Sequence, residues 1–220
     1  MTYVTDRERD KGIEFIGVPS EEKDKKEIWE LLMACDHDFV PPLSKRTSSA
    51  QKMWGVDTDF SKSEGPKAYF EEMIRQQFVI LKEKEKIIGF VTFKIKDMSV
   101  EVPGNLAANY ITTLCIDPAH RGKHLAELLY VFLEKELPDE VRASCLTLRT
   151  WSTNKVQLHI LKKMGYVCCN VLRDDRGQGV DTLYFYKILD RITTHSQLEN
   201  SNNSNKTTTI PINGILSENN

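Results

Sequence analysis

The sequence predicts an α/β (α+β) fold, a central mixed and mostly antiparallel sheet of about six or seven strands flanked by about four helices. Three observations lead there. Apolar, β-rich runs recur along the chain, separated by stretches whose apolar residues repeat at helical spacing. The polar tetrad Glu83-Lys84-Glu85-Lys86 joins two of those runs directly, which reads as an antiparallel hairpin. After the next strand the order becomes helix, strand, helix and a final strand pair, with no internal repeat.

Taken in order, Ile13 to Val18 reads as a first strand, stopped by Pro19-Ser20, with Ser20 on offer as a helix cap. Ile28, Leu31, Leu32 and Cys35 fall at i, i+3, i+4 and i+7, so a helix follows. It ends before DHDFVPPLSKR, where Pro41-Pro42 cannot continue it. Pro66 suits the first turn of a second helix reaching Gln76, with Tyr69, Phe70, Met73 and Ile74 as its apolar face. The hairpin strands run from Phe78 to Leu81 and from Ile87 to Ile95, and a further strand from Asn109 to Ile116 stops at Asp117-Pro118. Leu125, Leu128, Leu129, Phe132 and Leu133 mark a helix ending near Pro138. The strand from Ser144 to Trp151 leads through Ser152-Thr153-Asn154 into a helix carrying Val156, Ile160, Leu161 and Met164, with Gly165 as its C-cap. Two strands, Tyr166 to Leu172 and Val180 to Leu189, flank the turn-rich DDRGQG.

Composition bounds the function. The 220 residues, 40% hydrophobic and 28% charged, suit a folded chain with one well-buried core and show no break near the middle. We therefore expect one domain over residues 1–190. Residues 191–220, rich in Asn, Ser and Thr, read as a polar, flexible tail in which IPINGIL could dock as a strand. Lys and Arg number 30 against 32 Asp and Glu, for a net charge of −2, so no global attraction to nucleic acid or an anionic membrane is expected. The charged MTYVTDRERDKG start and the lack of a long apolar run point to a cytoplasmic protein without a membrane span. Cys35, Cys115, Cys145, Cys168 and Cys169 form no CxxC pairing, so reduced thiols and no metal site are expected.

The chemistry concentrates in NYITTLCIDPAHRGKHLAELLY, a strand, a short basic loop and a helix start. A helix N-terminus beside basic residues is an anion site, because free N–H groups and the dipole point at the same place. RGKHLA resembles the R/Q-x-x-G-x-G/A acyl-CoA signature of the GNAT acetyltransferases, and TWSTNKVQLHILKKMGY resembles that family's second motif, with Asn154, Gly165 and Tyr166 at its marker positions. The likeness covers roughly residues 109–166. It implies a GNAT fold and acetyl-CoA as cosubstrate. It further implies a strand at Leu114, Cys115 and Ile116 that splays from its neighbour to pair with the pantetheine arm. Arg121, Gly122, Lys123, His124, Leu125 and Ala126 would hold the pyrophosphate, and Asn154 would open the second cofactor-side helix.

Several positions depart from the family pattern. His124 stands where the signature has its first glycine, and reads either as a phosphate donor or as an exposed helix histidine. Thr112 stands where many members carry the Glu that deprotonates the amine, and a hydroxyl cannot serve as that base. For an amine of pKa near 10.4, losing deprotonation at pH 7 costs roughly 4–5 kcal/mol. Some other group, or a water held by Thr112, Tyr110 and backbone carbonyls, would have to do that work. The usual acid, a Tyr, aligns with Leu161, while His159 falls on nearly the opposite helix face and is left without a role. Cys115 reads as a small apolar strand residue rather than a nucleophile. Asp36, His37, Asp38 and Phe39 form an acidic loop beside an aromatic. There Asp38 and Phe39 could receive a cationic amine, or the loop is simply solvated.

The expected function is acetyl transfer from acetyl-CoA to a primary amine, a small molecule or a protein N-terminus, by direct attack in a ternary complex. The alternative is a binding module that keeps acyl-CoA but not chemistry. A nucleotide-binding reading of RGKHLA ranks last, since it lacks the glycine pattern. The sequence leaves oligomeric state open, a dimer being one option.

Overall fold

In the computed structural model, which describes residues 11–49, 65–189 and 209–211, the helices lie on both faces of one sheet. In chain order the elements are β1 (Lys11–Gly17), α1 (Glu22–Cys35), α2 (Lys67–Met73), β2 (Gln77–Glu83), β3 (Lys86–Lys94), β4 (Ala108–Ile116), α3 (Leu125–Lys135), β5 (Cys145–Trp151), α4 (Lys155–Lys163), β6 (Val167–Leu172), β7 (Thr182–Ile188) and the short β8 (Thr209–Pro211). The sheet order is β6-β7-β5-β4-β3-β2-β1-β8. Every neighbouring pair is antiparallel except β4 and β5. The mixed, mostly antiparallel α/β sheet with four helices is therefore as expected, with seven strands and a three-residue eighth. The last comes from the IPINGIL segment, through Ile13↔Ile210. The rest of the expected tail lies outside the described residues.

Alternating strand residues feed two apolar layers, as a sheet covered on both faces requires. Val79, Leu81, Val91 and Phe93 pack with Leu129, Phe132 and Leu133 of α3 and Leu161 of α4. Phe78, Ile80 and Phe90 pack instead with Ile28, Leu32 and Cys35 of α1 and with Tyr69 and Met73 of α2. Gly89 is required where β3 meets β4, since a Cβ there would lie 2.7 Å from Ile116 Cδ1 and 3.3 Å from Cys115 O.

Two local expectations fail. Ser20 does not cap α1: its N-cap is Glu21, without a side-chain cap bond, and Glu22 and Asp24 in the first turn supply the charge complementary to the dipole. Val156 is not a core residue of α4 but is 74% exposed, because that helix turns its first turn toward open space and buries Ile160 and Leu161 further along. No described helix is long and apolar enough to cross a membrane, and the described residues contain no group of three or more His, Cys, Asp or Glu side chains that could hold a metal ion.

Candidate active site

The sheet opens where β4 and β5 part. They pair from Ala108↔Cys145 to Ile111↔Leu148 and no further, although β4 runs on to Ile116 and β5 to Trp151. Thr112 sits at the fork. In the register with β3, Thr92 faces Thr113 and Phe93 faces Ile111, which leaves Thr112 as the extra residue of a β-bulge. A bulge bends its strand and increases its twist, so residues 112–116 swing away from β5. The facing backbone edges lose their ladder there and need other partners.

A cavity of about 840 Å³ fills this fork. Thr112, Leu114, Cys115 and Ile116 line one side, Leu148, Arg149, Thr150 and Trp151 the other, and the first turns of α3 and α4 complete it. At the start of α3, Gly122 has φ 74° and His124 has φ 57°. A Cβ at Gly122 would meet nothing within 4 Å, so this glycine serves the left-handed backbone rather than close packing. His124 adopts the same region despite its Cβ, at a cost of roughly 1–2 kcal/mol. Its ring is exposed and sits 2.9 Å from Glu127 Oε1. The turn places the N–H groups of Leu125, Ala126 and Glu127 ahead of the bond from Leu128 N–H to His124 C=O, at 3.2 Å. Those donors and the helix dipole suit a phosphate. Lys123 is exposed on the same turn and is not among the lining residues.

Arg121 lines the cavity, yet its guanidinium is already engaged with the chain. Nε donates to Ile116 O at 3.1 Å, and Nη2 donates to Asp38 Oδ2 at 2.5 Å and reaches Cys35 Sγ at 3.5 Å. Two expectations meet in one ion pair: Asp38, read as a receiver of a cationic amine, instead ties the loop after α1 to the loop before α3. Asp38 raises the Arg121 pKa further. A hydrogen bond from Cys115, together with Arg121, holds the Cys35 thiol below its usual range, while burial pushes Cys115 well above. Cys115, 2% exposed and packed against α1, is a small apolar wall residue, as expected.

Beyond Asp38, Phe39 stacks at 5.9 Å against Trp151. Arg46 lies 5.4 Å from the Phe39 ring and Arg176 5.4 Å from the Trp151 ring. These arginines also fasten the loop after α1 by its carbonyls. Arg46 donates to Pro41 O, Arg176 to Val40 O at 2.5 Å, and Arg149 to Ser49 O at 2.8 Å. Burial holds Arg46 at about 10 and Arg176 at about 9, so both stay charged at neutral pH.

Thr112 lines the fork, but its hydroxyl is tied down, donating to Gln76 Oε1 at 2.5 Å and lying 2.7 Å from Thr92 Oγ1. Gln76 continues to Glu72 at 3.1 Å. Burial pushes the Glu72 carboxyl up, but Lys94 and Ser49 hold it below the usual range. Tyr110 is 4% exposed, packs with Val100 and Tyr184, and is not a lining residue. It therefore cannot hold water at the fork. Asn154 caps α4, accepting from Gln157 N–H at 3.2 Å and donating to Thr150 Oγ1 at 3.3 Å. It lines the cavity with both ends of its amide in use.

The residues that sequence reasoning missed come from helix faces. His159 and Leu161 do lie on different faces of α4, but the cavity is on the His159 side and Leu161 is fully buried in the core. Tyr130 and Gln157 also line the cavity and hydrogen-bond each other, Gln157 Nε2 donating to the Tyr130 hydroxyl. Tyr130 follows the apolar LAELL run without any motif to mark it.

A sequence model described as the acetyltransferase (GNAT) family matches residues 47–166, more than half of the chain. The chain belongs to the GNAT family. Solved structures share the GNAT fold at low identity. YncA from Salmonella typhimurium, in complex with its cofactor acetyl-CoA, aligns over 84% of this chain and 96% of its own, at 16% identity and TM-score 0.53. The ribosomal-protein-S18-alanine N-acetyltransferase of Escherichia coli aligns over 84% and 97%, at 15% identity and TM-score 0.52. The ribosomal-protein-alanine N-acetyltransferase of Brucella melitensis aligns over 80% and 99%, at 14% identity and TM-score 0.54. No curated protein matches by sequence. In this GNAT chain the turn before α3 is left-handed at both Gly122 and His124, the hydroxyl of Thr112 is engaged with Gln76, and Leu161 has no proton to give.

Proposed function

We propose that this GNAT protein transfers an acetyl group from acetyl-CoA to a primary amine, of a small molecule or a protein N-terminus, by direct attack in a ternary complex. The domain over residues 1–190 would do so in the cytoplasm. The single observation that carries the reading is the β4–β5 fork, which opens at Thr112 beside the N-terminus of α3. The acyl-CoA-bound state of YncA, which has the same fold, supports it.

On this reading the free edge of Leu114, Cys115 and Ile116 pairs with the amides of the pantetheine arm, and N–H groups from Gly122 through Ala126 receive the pyrophosphate. Arg121 acts as a brace that fixes the end of β4 against the loop after α1, rather than as a phosphate ligand. Acetyl-CoA supplies the activated acyl group. Phe39 and Trp151 then border the acceptor end.

Deprotonation is where the site is sparse. Among the described lining residues the carboxylates are Asp38 and Glu127. The first is paired with Arg121, the second with Lys163 at 2.6 Å and His124 at 2.9 Å. Burial pushes the Glu127 carboxyl up, but Lys163 and His124 hold it below its usual range. Glu127, held below its range, is not a base poised near neutrality, and Asp38 is committed to its ion pair with Arg121. With both carboxylates engaged, the amine on this reading enters already neutral, its proton lost to water. We expect kcat/KM to rise about tenfold per pH unit up to the acceptor's own pKa. A plateau beginning near pH 6–7 in the profile would reveal a base that this account lacks.

The paired carboxylates and the tied hydroxyl of Thr112 also favour a second reading, a protein that holds acyl-CoA without turning it over. A panel of amines, assayed for release of CoA thiol across that pH range, separates the two: binding without turnover at any pH would replace the enzyme by the binding module. Acceptor selection is expected to reside in the fastened loop. Arg176→Met, which frees Val40 O and the face of Trp151, should raise the acceptor KM roughly tenfold, about 1.4 kcal/mol, with the acetyl-CoA Kd unchanged by calorimetry.

A further inference from the structure

Release of CoA leaves a thiolate inside the fork, and the family position for its acid is occupied here by the buried Leu161. The polar groups around the cavity divide by depth. His120 lies 3.2 Å from Glu83, and the exposed His124 sits beside Glu127. His159 is exposed on α4. Cys35 and Cys115 answer each other, with Arg121 beside Cys35. Tyr130 differs from all of these. It is the one tyrosine among the described lining residues, is 1% exposed, and lies five residues into α3, about 7.5 Å along the helix from Leu125. Walking back from Ile116 along β4 by the same length, at about 3.3 Å per residue, reaches the fork near Thr113 and Leu114.

The orientation of its hydroxyl is also set. Gln157 Nε2 donates to the Tyr130 oxygen, so the phenol accepts on one side and its own proton is left to point elsewhere. The ring is fixed edge-on against Tyr166, with centroids 5.6 Å apart. Burial pushes the phenol above its ordinary range, which keeps that proton in place across the working pH.

Resting on the acetyl-CoA reading above, we propose that Tyr130 is the hydrogen-bond donor to the sulfur of CoA, taking the place of the family acid from a different helix. As the amine nitrogen bonds to the acetyl carbon and the carbon–sulfur bond breaks, the electron pair passes to sulfur, and the Tyr130 O–H points its hydrogen at that charge. The proton shed by the nitrogen goes to solvent, and the thiolate is protonated after release. Tyr130 remains a neutral phenol throughout, so it stabilises the leaving group without having to ionise.

The test needs no acceptor. Wild-type protein and Tyr130→Phe are saturated with CoA, and the thiolate absorbance near 240 nm is titrated against pH as the difference between complex and separate components. The expected result is a bound-thiol midpoint about one pH unit lower in the wild type than in Tyr130→Phe, with equal CoA affinity at pH 6, where the thiol is neutral. Gln157→Met, which keeps the phenol but removes the amide that orients and polarises it, should fall between the two and serves if Tyr130→Phe does not fold. Equal midpoints in the wild type and whichever variant folds overturn the role of Tyr130 while leaving the cofactor reading intact. No saturable CoA binding by the wild type overturns that reading, and this inference with it.

Discussion

Arg121→Glu is expected to remove acetyl-CoA binding almost entirely. Calorimetric titration with acetyl-CoA and with CoA, using ATP as a control, should show a loss of at least about a hundredfold, or about 2.7 kcal/mol, for both thioester and thiol forms. The cause is only partly the lost cation. The substitution strips the donor from Ile116 O, the last residue of the strand whose free edge is proposed to receive the pantetheine arm, and sets a second carboxylate where Asp38 now lies 2.5 Å from the guanidinium. Two like charges at that distance push the loop after α1 and the loop before α3 apart. Asp38→Asn separates the contributions. It keeps Arg121 on Ile116 O and removes only a half-exposed ion pair, which is worth about 0–1 kcal/mol, so acetyl-CoA binding should hardly change. Equal losses in the two variants would mean that the ion pair, not the brace on β4, organises the site.

Phe132→Ala is expected to cost about 3–5 kcal/mol of folding stability. Phe132 is fully buried on α3, within the layer that holds that helix against β2 and β3. Its removal leaves a cavity that rigid strands on one side and α4 on the other cannot collapse to fill. Against a total of about 5–15 kcal/mol the loss is a large fraction, and should lower the thermal midpoint by roughly 6–20 °C for a chain of this size. Urea unfolding should show the same loss with an unchanged slope. A change below about 1 kcal/mol would mean that α3 is not packed as described.

Nearly every element boundary could be read from the sequence because the chain is locally consistent: apolar period, breaker residues and turn signals agree from Ile13 to Leu189. The disagreements have physical sources. Ser20 has the right chemistry for a cap, but the helix starts one residue later. Val156 carries an apolar side chain on an open turn, where it lines a ligand cavity rather than a core. Within the site, the turn before α3 was legible because RGKHLA sets a glycine and basic residues directly ahead of an apolar helix. The pairing of Asp38 with Arg121 was not, since 83 residues separate them. Nor was Tyr130, for an aromatic in an apolar helix carries no mark of whether its hydroxyl meets a cavity.

The bulge at Thr112 does more than open the sheet. Before it, Ile111 belongs to the layer under α3; after it, Ile116 belongs to that layer and Cys115 to the layer under α1. Odd-numbered side chains thus change sides at one residue, and β4 carries two reading frames joined at the fork. Thr112 is the residue that β3 leaves unpaired, and its hydroxyl fastens the bulge to Gln76 and Thr92. Pairing Thr112 itself with Thr92 would turn Thr113 and Cys115 into the apolar layer of α3 and expel Leu114 and Ile116 from it, whereas loss of one residue there would restore plain alternation and leave each of these side chains on its present face. In this strand the packing faces would outlast the loss of one residue, and the bend that opens the fork would not.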